Sequence, residues 1–204
     1  MKRIASALLL SVAISAPAFA ANEGGYVAVD AGQVNYSNAT STTGTNASFP
    51  NPKTFRFGVG YHFNQFVGVE AGYSVIGDST ITTVGTGLTV TETAKASSYG
   101  VAAVGTYPIN EMFDVFAKVG AATLKGDYTG SATNGVTASG SASKTTLMFG
   151  VGAQYNFNQH FGVRVQYEDL GKTDDITIAF SNGNRLIGAG IGVKVYSAGV
   201  VYNF

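Results

Sequence analysis

The sequence lacks cysteine and tryptophan altogether, and its 204 residues include only four prolines. Because cysteine is absent, disulfides do not stabilise the fold, and cysteine usage says nothing about the redox compartment. Charged residues make up 12% of the chain, about half the usual share, and the formal net charge is zero. No basic patch and no acidic run is present, so the sequence gives no reason to expect nucleic-acid binding or a charged tail.

The one long apolar run lies at the very start of the chain. Residues 1–20 begin with the basic MKR, continue with the apolar IASALLLSVAI and close on AFA, a small-x-small cleavage pattern. This order predicts a secretory signal peptide, and the run is too short to span a membrane as a helix. We therefore expect the exported protein to be a single domain over residues 21–204.

The clearest pattern in that domain lies in residues 144–172, KTTLMFGVGAQYNFNQHFGVRVQYEDLGK. Two alternating runs flank an Asn/Gln-rich turn at residues 156–159. Strands have a period of two, so the runs predict a hairpin with one large apolar face and one polar or very small face. The second face carries glycines and a few charges, which suits a narrow interior better than a solvated surface. The apolar face is then predicted to contact lipid.

The same plan recurs twice earlier in the chain. YHFNQFVGVEAGY (61–73) resembles YNFNQHFGVRVQY (155–167), and YPINEMFDVFAKVG (107–120) also places an aromatic residue and a short turn before an alternating strand. A repeat of roughly 45 residues is also typical of propeller blades. Each unit here offers two long strands rather than four short ones, and tryptophan is absent. The repeat therefore favours consecutive hairpins over propeller blades.

Alternation of this kind predicts eight strands joined by three short turns and four long polar loops. The strands are expected at residues 25–36, 53–63, 67–75, 96–107 and 112–125, in the hairpin 144–172, and in the final AGVVYNF. The loops are expected at residues 37–52, 77–95, 127–143 and 173–187. The base of the 77–95 loop is expected to extend the strands, and the DITIAF piece of the last loop is expected to form a hairpin extension.

These strands are long enough to cross a membrane, since a tilted spanning strand needs about 9–11 residues. In lipid every backbone group must be paired, so the sheet must close on itself. The sequence therefore predicts an all-β fold, an eight-stranded antiparallel up-and-down transmembrane β-barrel with short periplasmic turns and long outer loops. The 27 glycines, 11 tyrosines and 13 phenylalanines fit this class. A soluble β-sandwich, with the aromatic residues as its core, is the competing interpretation.

The last residues of the chain carry a second signal for the same class. Val200, Tyr202 and Phe204 occupy alternating positions up to the final phenylalanine. This pattern looks like the C-terminal β-signal that outer-membrane insertion machinery recognises. A terminal phenylalanine alone is weak evidence, and it gains weight beside a signal peptide and eight alternating strands.

The segments VGVEAGYSVIGD, YPINEMFDVFAKVG and FGVRVQYEDLGK resemble the membrane domain of OmpA-like outer-membrane proteins. The resemblance covers nearly all of residues 21–204 and implies a Gram-negative outer-membrane location. It does not extend to the peptidoglycan-binding domain of larger members, so no anchoring role is expected. The family's barrels contain a salt-bridge gate, and Glu70 and Arg164 fall on matching positions. The family's partner lysine on strand four is absent, where Ala102 and Val104 stand, and Gln154 replaces its glutamate on strand six.

The charged residues on the inward faces are nearly balanced in sign. An eight-stranded barrel is just wide enough to be filled by its own side chains, and an unpaired buried charge costs several kcal/mol, roughly 3–5 when one partner of a pair is removed. We therefore expect a paired network, with Glu70 bound to Arg164 or Lys118 and Arg56 bound to Glu70 or Asp30. The alternative is that these charges hydrate a water-filled lumen. The network is predicted to comprise Asp30, Arg56, Glu70, Lys118, Arg164 and Glu168, with Asp114 and Gln166 also inward.

The resulting functional prediction is a structural outer-membrane barrel with at most small-solute conductance. One alternative is an adhesin or ligand-binding barrel of the OmpX/Ail type, which would act on extracellular ligands through its loops. Another is an OmpW-like channel for apolar solutes, against which the charged inward face argues. Expected partners are outer-membrane lipid, lipopolysaccharide and the insertion machinery, and the barrel is expected to be a monomer.

Catalysis has little support in the sequence. The two histidines, His62 and His160, both lie beside predicted periplasmic turns, away from the outer-leaflet position that outer-membrane acyl-transfer barrels use. Two separated histidines without cysteine provide no metal-ligand spacing. The Gly-x-Gly pairs at residues 58–60 and 150–152 are not followed by a helix pattern, so they are interpreted as lumen glycines. We expect no enzymatic activity, no metal and no cofactor.

Overall fold

A computed structural model describes residues 23–37, 52–85, 88–172, 176–180, 185–188 and 192–204. The predicted signal peptide and most of the first predicted loop lie outside these residues. The described chain forms ten strands: β1 (Gly24–Ser37), β2 (Lys53–His62), β3 (Val67–Gly85), β4 (Leu88–Pro108), β5 (Phe113–Ala132), β6 (Thr137–Asn156), β7 (Phe161–Lys172), β8 (Ile176–Phe180), β9 (Arg185–Gly188) and β10 (Gly192–Asn203). Among them, no helix is long and apolar enough to cross a membrane.

Eight of the strands close into a barrel. Strands β1 to β6 each pair antiparallel with the next, β7 pairs with β10, and β10 returns to β1 over Tyr26 to Ser37. This confirms the predicted eight-stranded antiparallel up-and-down β-barrel. Three four-residue turns, at 63–66, 109–112 and 157–160, lie at one end, here called the turn end. The opposite end, where the 133–136 turn joins β5 to β6, is called the loop end.

The stagger of the strands sets the width of the barrel. From Asp30 the paired residues lead through β2, β3 and β4 to Leu124 of β5. In the other direction, through β10, β7 and β6, they lead to Asp114 of the same strand, ten positions away. Eight strands with this offset tilt by about 40° and lie about 8 Å from the axis. Such an interior is narrow enough for side chains from opposite walls to meet.

Asparagine side chains explain the repeat seen in the sequence. In each turn one asparagine carboxamide oxygen accepts two backbone N–H groups two and three residues later, at 2.8–2.9 Å. The three residues are Asn64, Asn110 and Asn158, at the same position of the three turns. The side chain thus satisfies backbone donors that the turn leaves unpaired, which is the usual reason for asparagine in tight turns. The structure also shortens β2 to His62 and starts β5 at Phe113.

Two of the predicted loops are in fact strands. Residues 77–95 belong largely to β3 and β4, and residues 127–143 largely to β5 and β6, which turn at residues 133–136. These segments are rich in threonine, whose branched side chain favours strands, and they alternate with small residues. Threonine, serine and glycine occur at both odd and even positions, so the regular alternation of large apolar and polar residues that marks the barrel wall is missing. The prediction of four long loops was therefore wrong at these two places, although the expected extension of the strands at the base of residues 77–95 is confirmed.

The fourth predicted loop contains the hairpin that was expected there. Strand β8 pairs with β9 over four residue pairs, and its end pairs with β6 at Ala138 and Ser139. Strand β6 therefore has β7 as its neighbour in the barrel wall and β8 as its neighbour at the loop end. The β8–β9 hairpin therefore extends the sheet at the loop end, on the side where β3 to β6 lie.

Alternation along the strands separates an apolar outer face from a mixed interior. Large apolar side chains on the outer face are well exposed, as with Phe55 at 65% and Leu147 at 65%. The interior is layered. Charged side chains fill the middle, apolar side chains lie towards the loop end, and Tyr26, Ala28 and Val201 pack together towards the turn end.

Candidate functional site: the charge network inside the barrel

Six charged side chains meet in the middle of the barrel. They come from β1 (Asp30), β2 (Arg56), β3 (Glu70), β5 (Lys118) and β7 (Arg164 and Glu168), and we call them the charge network. Each lies on the inward face of its strand, and none is more than 6% exposed. All six residues of the predicted network are thus brought together, with three positive and three negative charges.

Glu70 is the centre of the charge network. Its Oε1 lies 2.7 Å from Arg56 Nη1 and 2.7 Å from Lys118 Nζ. Its Oε2 accepts hydrogen bonds from Arg164 Nη1 and from the Tyr26 hydroxyl, both at 2.8 Å. Three hydrogen-bond donors and one further cation, the ion-paired Arg56 guanidinium, therefore surround one carboxylate from four strands, and this carboxylate is 2% exposed. A buried carboxylate is tolerated when its lone pairs are satisfied in this way.

Asp30 and Arg164 form a bidentate pair on the side of β1 and β7. Arg164 Nε donates to Oδ1 of Asp30 at 2.8 Å, and Nη2 donates to Oδ2 at 2.6 Å. Gln166 Nε2 also donates to Asp30 Oδ2, at 3.3 Å. Since Arg164 binds Glu70 with its remaining Nη1, its planar guanidinium joins the two carboxylates in a fixed geometry.

Glu168 completes the charge balance with longer contacts. Its Oε1 lies 3.3 Å from Arg56 Nη2 and 3.5 Å from Lys118 Nζ. Lys118 additionally donates to the Gln166 side-chain oxygen at 2.7 Å. Two of the three cations that bind Glu70, Arg56 and Lys118, are therefore shared with Glu168, and the charge network is one connected unit across the barrel.

Inward-facing glycines make room for large side chains inside the barrel. A Cβ on Gly72 would lie 2.9 Å from Cζ of Arg56, and one on Gly152 would lie 2.8 Å from Cε2 of Phe116. Both distances are shorter than carbon contacts allow. Inward-facing glycines are therefore part of the architecture of the site, as the sequence pattern indicated for residues 150–152.

Sequence reasoning missed Tyr26 on β1, whose hydroxyl donates a hydrogen bond to Glu70 two strands away on β3. The sequence offered one clue: Tyr26 alternates with Ala28 and Asp30 on β1 and therefore belongs to the inward face of that strand. Asp114, which was predicted to face inward, does so but stands apart from the charge network. Its Oδ2 accepts a hydrogen bond from Asn156 Nδ2 at 2.7 Å near the turn end.

An apolar layer lies on the loop-end side of the charge network. On β1, Val34 is four positions beyond Asp30, and on β3, Ile76 is six positions beyond Glu70. These side chains face the barrel axis and yet are at most 4% exposed. The apolar layer comprises Val34, Ile76, Ala102, Ala122, Leu124, Met148, Leu170, Val193 and Val195.

A cavity lies on the other side, at the turn end. It has a volume of about 890 Å³, and Tyr26, His62, Asp114 and Phe116 are among its lining residues. Glu70, Lys118 and Arg164 also line it, so the charge network forms one wall of the cavity. The cavity thus approaches the network from the turn end, opposite the apolar layer.

The two histidines make aromatic contacts near the turn end. The His62 ring stacks on Tyr26 with centroids 4.9 Å apart, and the His160 ring stacks on Tyr202 at 6.0 Å. Within the described residues, no group of three His, Cys, Asp or Glu side chains is placed to hold a metal ion. The geometry of the site is that of an electrostatic cross-link between strands.

The predicted C-terminal signal lies on the outer face next to the turn end. Val200 is 56% exposed and Phe204 is 70% exposed. The Tyr202 ring contacts those of Phe161 and Phe204, with centroids 5.0 and 5.2 Å apart. The Phe204 amide donates to the Gly25 carbonyl oxygen at 3.0 Å, so the last residue is tied to the first strand.

Comparison with known proteins identifies the class of the barrel. Residues 6–204 match the family model described as outer membrane protein beta-barrel domain. The chain is 26% identical over 137 residues to outer membrane protein A of Yersinia pseudotuberculosis serotype I (strain IP32953). That match covers 66% of this chain and 38% of the relative.

Two solved structures have the same fold at low sequence identity. Ail of Yersinia pestis, the attachment invasion locus protein, was solved in complex with the heparin analogue sucrose octasulfate. It is 21% identical, with a TM-score of 0.56, and the match covers 90% of this chain and 99% of Ail. OprG of Pseudomonas aeruginosa is 15% identical with a TM-score of 0.56, covering 90% and 97% of the two chains.

Proposed function

The chain belongs to the outer membrane protein beta-barrel domain family and is an integral protein of the bacterial outer membrane, and we propose that it acts as a sealed structural barrel. In this proposal the charge network locks the strands together and blocks the middle of the lumen. The apolar layer blocks it a second time towards the loop end. Conductance is then limited at most to rare leakage of small solutes.

The observation that carries the proposal is the set of partners of Glu70, which accepts hydrogen bonds from side chains of β1, β5 and β7 and forms an ion pair with Arg56 of β2. A water-filled pore would leave these groups partly hydrated, whereas each charged member is at most 6% exposed. Opening a path would require breaking buried pairs, at a cost of roughly 3–5 kcal/mol for each partner removed. The OmpA-type gate relies on a different set of partners, because Ala102 and Gln154 stand where that family has charges.

Lack of enzymatic activity is part of the proposal. The family comprises outer-membrane barrels, and the buried carboxylates of this chain are occupied by cations. Neither histidine lies next to an acid within hydrogen-bonding distance in the described part of the chain; both stack on tyrosine rings. Screening the refolded barrel for lipase and deacylase turnover tests this point, and turnover would contradict it.

The surroundings of the barrel follow from its outer face. Exposed side chains such as Phe57, Val101 and Phe149 form an apolar band that lipid would cover. We expect outer-membrane phospholipid and lipopolysaccharide as direct partners, and a monomer. We further propose that residues 1–20 are a signal peptide, that the three turns face the periplasm, and that Val200, Tyr202 and Phe204 are read by the insertion machinery.

Solute flux into proteoliposomes tests the seal. Liposomes containing refolded protein are exposed to an osmotic gradient of arabinose, with a general porin as the positive control. We expect swelling at the rate of protein-free liposomes for the wild type. Swelling at a substantial fraction of the porin rate would overturn the proposal and favour an open channel.

The length of the strands favours a second role, in which the loop end binds an extracellular partner. Strands β3 to β6 have 19 to 21 residues each, whereas a tilted spanning strand needs about 9–11. Their outer halves therefore project beyond the membrane and present a polar sheet rich in Thr, Ser and Gly. Pulldown of extracellular-matrix proteins with cells that display the barrel tests this role. A variant in which the 126–142 tip is replaced by a short Asn-Gly turn should lose any binding that the tip carries.

A further inference from the structure

Basic side chains outside the lumen are confined to one end of the barrel. Segments 57–72, 104–117, 151–163 and 196–204, which make up the turn end, contain no lysine or arginine outside the lumen. Lys118 and Arg164 belong to the charge network and lie inside. The loop end instead carries lysines on six different strands, namely Lys53, Lys95, Lys125, Lys144, Lys172 and Lys194. This asymmetry matches a membrane whose two surfaces differ in charge.

Two of these lysines converge on one patch of the outer face. Lys53 of β2 is directly opposite Gln33 of β1, and Lys194 of β10 is directly opposite Asn35 of β1. Gln33 and Asn35 are two positions apart and therefore share one face of their strand. We call Gln33, Asn35, Lys53 and Lys194 the rim cluster. The Cα atoms of its two lysines are about 12 Å apart by strand spacing and rise, so both ammonium groups can reach one ligand between them.

The rim cluster lies at the upper edge of the apolar band. Phe55, 65% exposed, and Tyr196, 50% exposed, are the next outward residues towards the turn end on β2 and β10. On the inner face at this height are Val34 and Val195, so the cluster side chains point away from the lumen. A polar patch directly above lipid-exposed aromatic residues lies at the level of lipid headgroups, where lysine side chains extend towards phosphate.

Neither lysine of the rim cluster has an acidic partner within 4 Å in the described part of the chain, and this distinguishes them from their neighbours. Lys95 pairs with Asp78 at 3.6 Å, and Lys125 lies over the Tyr99 ring, 5.2 Å from its centroid. Asp169 is directly opposite Lys194 and leaves a carboxylate at the edge of the rim cluster, with no ion pair to Lys194 within 4 Å and with Oδ1 accepting the Gly171 amide at 2.9 Å. The rim cluster thus offers two ammonium groups and two carboxamides to an external ligand.

We propose that the rim cluster binds a phosphorylated glycolipid of the outer leaflet, with the two lysines on a sugar phosphate and the two carboxamides on sugar hydroxyl or acyl carbonyl groups. Ammonium groups suit the phosphate, whereas Gln33 and Asn35 can donate to and accept from neutral groups of the sugar. The inference rests on the outer-membrane orientation in the proposed function and gives its lipopolysaccharide contact a specific place.

Native mass spectrometry of the refolded full-length barrel in micelles tests this site. The probes are bis-phosphorylated lipid A, dephosphorylated lipid A and phosphatidylglycerol, each added at equal concentration. The wild type should retain one bis-phosphorylated lipid A about tenfold better than either other lipid, given the attraction of two lysines near a charged surface. The Lys53→Gln/Lys194→Gln variant should lose that preference.

The matched control is Lys95→Gln/Lys125→Gln, which removes the same charge from the same rim. It should retain lipid A like the wild type. An equal loss in both double variants would show a general charge effect and overturn the site, as would equal retention of phosphatidylglycerol. Heat-modifiable migration on gels establishes that each variant is folded. Lipid retention does not depend on permeability. A negative result here would therefore leave the sealed-barrel proposal intact, and a leaky barrel would leave the proposed lipid site intact.

Discussion

Arg164 and Glu70 are 94 residues apart in the chain, and yet Nη1 of Arg164 lies 2.8 Å from Oε2 of Glu70 inside the barrel. Strands β7 and β3 are not neighbours in the sheet, so this contact crosses the lumen. Such a contact links opposite parts of the wall in a way that backbone pairing cannot. The stability of the barrel should therefore depend on a few interior side chains.

Replacing Arg164 by alanine should destabilise the barrel strongly. The change leaves Asp30 without its bidentate partner and Glu70 without one of its three hydrogen-bond donors. Removing one partner of a buried pair costs roughly 3–5 kcal/mol. Urea unfolding of the refolded protein in micelles measures the change. Lys172→Ala, at an exposed loop-end lysine, is the control and should have little effect. Equal stability of Arg164→Ala and wild type would show that water replaces the missing cation.

Tyr26→Phe should have a smaller effect with the same sign. The variant keeps the ring on His62 and removes only the hydroxyl that donates to Glu70. A hydrogen bond to a charged group contributes about 1.5–3 kcal/mol. The same unfolding experiment measures it, with Tyr73→Phe on the outer face as the control. If both variants unfold at the same urea concentration as the wild type, Tyr26 packs in the lumen and its hydroxyl does not stabilise the charge network.

A methyl group added at Gly72 should disturb the network through Arg56. The new Cβ would lie 2.9 Å from Cζ of Arg56, so the guanidinium would have to move. Crowding of this kind typically costs about 1–3 kcal/mol. Gly105→Ala is the matched control, since no atom lies within 4 Å of its added Cβ. Loss of stability in Gly72→Ala alone is the expected outcome, and equal behaviour of the two variants would count against the tight packing described here.

Phe204→Ala should impair assembly in the outer membrane more than it impairs the folded barrel. Phe204 is 70% exposed, so its removal disturbs little packing. Phe157→Ala removes another exposed aromatic side chain at the same end, 62% exposed, and serves as the control. The amount of heat-modifiable protein in outer-membrane fractions reports assembly. Normal assembly of Phe204→Ala would contradict the proposal that the insertion machinery recognises the C-terminal residues.

The sequence allowed the barrel to be predicted because its alternation is strong where one strand face meets lipid, as at Phe55, Phe57 and Val59. It failed at residues 77–95 and 127–143, where β3 to β6 continue with two polar faces and the pattern disappears. The members of the charge network were predictable from inward register and charge balance. The particular pairs were not, because the stagger of ten positions decides which side chains meet across the lumen. Tyr26 was missed for that reason.

Single-channel conductance in planar bilayers tests the sealed barrel most directly. The wild type, Arg164→Ala and the combination of Arg164→Ala with Leu124→Ser and Met148→Ser are recorded under the same voltage and salt. Silence is expected for the wild type and for Arg164→Ala, because the apolar layer still blocks the lumen, and openings are expected only when both layers are altered. Frequent openings of the wild type, comparable to those of the combined variant, would contradict the account.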